Sequence, residues 1–89
     1  MTNVNVTAVE LMPIGGAAND GTKLGFIDSA TKAAQNDTLT VTNASSIKLA
    51  LALTDADGVA DPCTISSNVI TLTGATATSP SLLIVYTPA

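Results

Sequence analysis

The sequence predicts an all-β fold: an antiparallel β-sandwich or small barrel of about six to seven strands, forming a single domain over residues 1–89. Three observations carry that expectation. Short runs alternate apolar and polar residues with period two, which places one set of side chains on each face of a strand. Stretches rich in Gly, Pro, Asn, Asp and Ser interrupt these runs at intervals of about ten residues. No segment carries an apolar stripe of helical period.

Residues 2–11 read as the first strand. Val4, Val6 and Ala8 share one face, and Asn3, Asn5 and Thr7 take the other. The phase changes at Val9 and Leu11, which needs either a bulge near residues 8–10 or a strand that moves from one sheet to another. Met12, Pro13, the pair Gly15-Gly16 and Asn19-Asp20-Gly21 predict a loop, with Asp-Gly as a hairpin signal. Residues 22–28 form the next strand, with Leu24 and Phe26 on one face. Residues 29–35 are the one stretch with helical character; Ser29 could cap a single turn, and the segment reads as a loop or short helical turn.

Residues 37–42 alternate cleanly, Leu39 and Val41 inward and threonines outward. Asn43-Ala44-Ser45-Ser46 makes a turn. Residues 47–53 then place Ile47, Leu49, Leu51 and Leu53 on one face and Lys48, Ala50 and Ala52 on the other. The small alanines predict close packing there, against a neighbouring subunit. Residues 54–62 are an Asp-rich loop. Residues 68–73 form a strand that can begin as early as Thr64, and small residues at 74–80 make a turn. Residues 81–87 are the last strand, apolar on both faces, which predicts a central position covered on both sides.

Composition excludes several functions. The chain has no His, Arg or Trp and a single cysteine, so most general bases, activated nucleophiles and metal-ligand sets are missing. An enzyme is not expected, nor a cofactor. Three lysines stand against seven carboxylates, for a net charge of −4. Lys23, Lys32 and Lys48 are scattered and only Phe26 and Tyr86 could stack on bases, so nucleic acid is not an expected partner. The longest apolar run, Leu82-Leu83-Ile84-Val85-Tyr86, is far short of the roughly 20 residues of a membrane helix. Met1 to Val6 shows no basic segment leading into an apolar one, so neither a secretory signal nor a membrane partner is expected.

Cys63 cannot form an intrachain disulfide, and it has no cationic neighbour of the kind that activates a thiolate. It reads as a small buried hydrophobe or an unremarkable thiol in a turn leading into a strand. Asp55, Asp57, Gly58 and Asp61 resemble the start of a calcium loop, yet no third ligand in the run and no closing Glu follow. They read as a solvated turn, and no metal is assigned. Gly15-Gly16 lacks the following Lys-Ser/Thr of a phosphate loop.

What remains is apolar surface. Leu82, Ile84 and Tyr86 lie opposite Leu83 and Val85 on the final strand, and a chain this short has little material to cover both faces. The expected interface residues are Val4 and Val6 on the first strand, Ala50 and Ala52 on the alanine face, Leu83, and Tyr86 as an interfacial aromatic. Partners of its own kind are therefore expected. On this reading Leu83→Asp unfolds the protein, whereas a polar change within residues 3–7 mainly weakens assembly.

The opening Val4-Asn5-Val6-Thr7-Ala8-Val9 with Met12-Pro13, the run Val69-Ile70-Thr71-Leu72-Thr73-Gly74-Ala75-Thr76 and the Leu82-Leu83-Ile84-Val85-Tyr86 ending together resemble small virion proteins of tailed phages, of the capsid decoration or head-associated type. The likeness is one of Thr/Ala-rich short strands with few charges, and contains no diagnostic motif. It implies a protein made in the host cytoplasm and located on the virion capsid surface. There it would bind the major capsid protein as a homo-oligomer, commonly a trimer, and stabilise the outer lattice. Residues 1–11, and within them 2–9, would then serve as an edge or exchanged N-terminal arm. The alternatives are a tail-tube, head-fibre or other filament subunit assembling by strand addition, and a carbohydrate- or surface-binding β-module.

Overall fold

The structure is a computed structural model that describes residues 3–14, 21–28, 36–53, 60–74 and 80–89. Its described residues form nine strands: β1 (Asn3–Val6), β2 (Val9–Pro13), β3 (Lys23–Ile27), β4 (Asp37–Val41), β5 (Ala44–Leu53), β6 (Ala60–Asp61), β7 (Cys63–Ser66), β8 (Val69–Leu72) and β9 (Ser81–Pro88). The fold is all-β, a two-sheet sandwich. Sheet I has four strands in the order β1-β4-β8-β7, and sheet II has five in the order β2-β3-β9-β5-β6. Leu39, Val41, Ile70 and Leu72 of sheet I pack against Ile27, Ile47, Ala52, Leu82, Ile84 and Tyr86 of sheet II, closing one hydrophobic core.

The strand expected over residues 2–11 is two strands in two sheets. β1 belongs to sheet I and β2 to sheet II, so the change of phase at Val9 marks a crossing between layers. A bulge does occur, but later, between Glu10 and Met12. Met12 and Pro13, expected in a loop, extend β2. β1 pairs parallel with β4, Val4 opposite Leu39 and Val6 opposite Val41, so the sandwich is not wholly antiparallel. The chain leaves sheet I for the β2–β3 pair and returns to it at β4, which arrives running in the same direction as β1.

One side chain fixes the crossing. Asn43, in the turn between β4 and β5, accepts a hydrogen bond from the Ala8 N–H (3.0 Å) and donates through Nδ2 to the Ala8 carbonyl (2.8 Å). This two-point contact satisfies both backbone groups of Ala8 where neither sheet ladder reaches them. Thr42 adds a backbone hydrogen bond to the Val6 carbonyl at 2.9 Å.

β7 and β8 form a hairpin that the sequence shows only as a strand of uncertain start. Its turn is Ser67-Asn68, with Ser67 in the left-handed region at φ 52°. The tip is held from both sheets: the Ile47 N–H donates to the Ser67 carbonyl and the Val41 N–H to the Asn68 carbonyl, each at 2.9 Å, and Asn68 Nδ2 donates to the Val41 carbonyl at 3.1 Å. Those bonds offset the cost of the unfavourable backbone angle. The helical turn considered for residues 29–35 lies outside the described residues.

Replacing Asn43 by Ala leaves two part-buried backbone groups without their partner. It should lower stability by about 1–3 kcal/mol in urea denaturation and speed amide exchange at Ala8. Unchanged stability would mean that the clasp does not hold the two sheets together.

Candidate interaction surface

Parity along β5 decides what the protein presents outward. Its pairing with β9 shifts register between Ile47 and Leu49, a bulge at Lys48. A single extra residue moves every later side chain to the opposite face. Ile47 therefore points into the core, but so do Ala50 and Ala52, while Leu49, Leu51 and Leu53 point out. The exposures follow: Ala52 is 1% exposed, against 66% for Leu49 and 49% for Leu51. The expectation that Ile47, Leu49, Leu51 and Leu53 share one face is thus corrected. The alanine face packs closely, as expected, but against this chain's own sheet I.

Cross-strand register carries the apolar character across the sheet. One rung runs Leu51, Leu83, Phe26, Val9 over β5, β9, β3 and β2. The adjacent rung runs Leu49, Val85, Leu24, Met12, and Leu53 stands beyond them opposite Ser81. Leu24, Phe26 and Val85 are half-buried by their neighbours; Val9, Met12, Leu49, Leu51, Leu53 and Leu83 are exposed. No outward position of these rungs carries a charge. The uncovered parts of these side chains amount to on the order of 600 Å², at the top of the roughly 300–600 Å² typical of a monomer's largest apolar patch.

The outer face of sheet I is the opposite. Its rungs run Asn3, Thr38, Thr71, Thr64 and Asn5, Thr40, Val69, Ser66. Asn3 Oδ1 accepts hydrogen bonds from the Thr38 and Thr40 hydroxyls at 2.7 and 2.8 Å, and Asn3 Nδ2 donates to Asn5 Oδ1 at 3.1 Å. One outer face is polar and internally hydrogen-bonded, the other apolar.

Of the six interface residues expected from sequence, only Leu83, 42% exposed, lies on the apolar face. Ala52 and Tyr86 are buried, and Val4, Val6 and Ala50 are partly buried against the core. β9 is central in sheet II, as expected, yet only Leu82, Ile84 and Tyr86 are covered by sheet I; among the described residues no second layer lies over Leu83 and Val85. On β3, Gly25 and Ile27 face the core, whereas Leu24 and Phe26 lie on the outer face. Sequence reasoning thus missed Leu49, Leu51 and Met12 as surface residues. The only trace of the shift was the single charged residue, Lys48, within an otherwise alternating run.

Tyr86 stays inside because Gly25 leaves room for it. A Cβ built on Gly25 would stand 2.5 Å from Tyr86 Cε1 and 3.2 Å from the Ala8 Cβ, so any side chain there collides with the buried ring. Burial, and then the Glu10 carboxylate, push the Tyr86 phenol above its ordinary value of 10.0. Glu10 itself lies at the margin of sheet II, 3.6 Å from Lys23 Nζ, an ion pair too exposed to contribute much to stability.

Cys63 begins β7, half-buried against the core, with Sγ 3.9 Å from the Ala50 carbonyl oxygen. Asp55, Asp57 and Gly58, and the Gly15-Gly16 pair, lie outside the described residues; Asp61 is in β6. Among the described residues no cavity opens and no group of three His, Cys, Asp or Glu could hold a metal. No helix there is long and apolar enough to cross a membrane. No family model, curated protein or solved structure matches the chain.

Adjacent residues on β9 should respond oppositely to the same substitution. Leu82→Asp buries an unpartnered charge and should cost more than about 4 kcal/mol, leaving the chain unfolded. Leu83→Asp points into solvent and should retain the β-sheet circular dichroism spectrum; loss of that spectrum would reverse the assigned parity of β9. The raised phenol predicts a second effect. The folded state holds the Tyr86 proton more tightly than the unfolded state, so its contribution is fully present below about pH 10 and is lost as pH rises past that value. Stability should fall in that range for the wild type and less steeply for Tyr86→Phe, measured by denaturation at fixed pH steps.

Proposed function

We propose that this chain is a non-enzymatic structural protein of a virion, a capsid decoration protein that works as a homo-oligomer seated on the major capsid protein. The observation that carries this reading is the outer face of sheet II. An apolar surface spanning four strands, with no charged residue in its two central rungs, costs free energy by standing in water, and covering it with another protein surface removes that cost. The described part of the molecule offers large flat surfaces rather than a concave site with converging reactive groups. The resemblance to small tailed-phage virion proteins supplies the setting: a particle surface on which such a subunit would be held by neighbours.

The strand edges favour this reading over a filament built by strand addition. β6 has two residues, β1 and β7 have four each, and β2 contains a bulge and ends in Pro13. Short, bulged and proline-bearing edges are how sheets discourage further pairing. Association through a sheet face needs none of those edges.

Mixing purified protein with capsids assembled from the major capsid protein alone should give saturable binding and particles that resist heating better than bare capsids. Cryo-electron microscopy should show added density on the outer lattice. No binding to capsids, or tubes and fibres formed by the protein alone, would reject the decoration role.

A further inference from the structure

We propose that the apolar face of sheet II is the self-association surface of this chain, closing a two-fold, face-to-face homodimer. The inference rests on the structural role above and names the first partner that role requires. Three observations commit the face to a second copy. The first is area. On the order of 600 Å² per copy, the patch reaches the lower end of the roughly 600–1,000 Å² per partner that specific stable interfaces bury.

The second is charge. Each copy carries −4, so two copies repel wherever carboxylates meet. The rungs Leu51–Leu83–Phe26–Val9 and Leu49–Val85–Leu24–Met12 carry no carboxylate, so identical acidic chains can meet over them without opposing like charges, and the charge beside them, exposed Lys48 at the β5 bulge, is positive. The third is closure. Sheets pack face to face at about 10 Å, with their strands within roughly 30° of alignment. Two copies joined in this way form four layers in the order I-II-II-I. Both outward faces are then the Asn/Thr surface of sheet I, and no apolar sheet face remains to recruit a third copy. The arrangement is isologous, with the same patch on each side, and stops at two.

Sedimentation equilibrium and light scattering on the purified chain should give twice the protomer mass of 8.9 kDa. Leu51→Glu and Leu83→Glu should each weaken the dimer at least ~100-fold, about 2.7 kcal/mol, with the β-sheet circular dichroism spectrum retained. Thr64→Glu, on the polar outer face of sheet I, should leave the dimer intact. If the Glu variants fail to fold, Leu51→Thr and Leu83→Thr carry the same test. Isotope-filtered methyl contacts between leucines of different copies should map to Leu49, Leu51 and Leu83. A wild-type monomer at tens of micromolar, a trimer, or a dimer untouched by these substitutions would overturn the proposal. The two readings fail separately. A dimer that ignores capsids removes the decoration role and leaves the dimer. A monomer whose capsid binding is abolished by Leu51→Glu removes the dimer and assigns the face to the capsid.

Discussion

The extra residue at Lys48 sets the character of the whole molecule. Strand side chains alternate with period two, so a one-residue shift exchanges inside for outside along everything that follows. Before the bulge β5 contributes Ile47 to the core; after it, β5 contributes Ala50 and Ala52. The alanines let sheet I approach sheet II closely over β5, and Leu82, Ile84 and Tyr86 of β9 fill the adjoining volume. The same shift turns Leu49, Leu51 and Leu53 outward into register with Leu83 and Val85. Core and surface are two consequences of one local irregularity.

Much of the architecture was legible because alternation reports burial when one face of a strand is wet. β4 is the clear case, with Leu39 and Val41 fully buried and threonines outward, as its pattern required. The break in phase at Val9 also left a trace, since a chain that changes sheets must change which parity faces the core. β5 left none. Ile47, Leu49, Leu51 and Leu53 keep an unbroken odd parity in sequence, and a bulge consumes a position without altering composition. The β7–β8 hairpin was obscured for a different reason. Its turn is Ser-Asn, without the glycine that normally advertises positive φ, and bonds from Ile47 and Val41 supply the compensation that glycine would have made unnecessary.

The candidate surface was the least legible part. Apolar residues on both faces of β9 identified it as central, but composition does not say which molecule covers the second face. An 89-residue chain forms two layers, so each sheet can be covered once from within. Covering both faces of β9 from within would take a third layer, and the described residues form two. Likewise, Ala50, Ala52 and Tyr86 were expected at an interface because small or aromatic residues suit one. Those same properties suit a close-packed core, and Gly25 opposite the Tyr86 ring reserves the space for it.

Exposed apolar strands ordinarily invite uncontrolled association, and the danger lies mainly at sheet edges, where free backbone groups template further strands. Here the edges and the face are treated differently. β2 is interrupted by its bulge and ended by Pro13, β6 stops after two residues, and β1 presents Asn3 and Asn5 beside a hydrogen-bonded Thr38 and Thr40. The face of sheet II has no such protection. A chain that blunted its edges only to remain soluble would gain equally from polar residues on that face, and sheet I demonstrates that this fold accommodates them. In the proposed dimer, leucine, valine, methionine and phenylalanine on one face, with asparagine and threonine on the other, would restrict association to a single geometry. Apolar burial would then drive that contact, while the short or interrupted strands β1, β2, β6 and β7 would discourage it from propagating by strand addition.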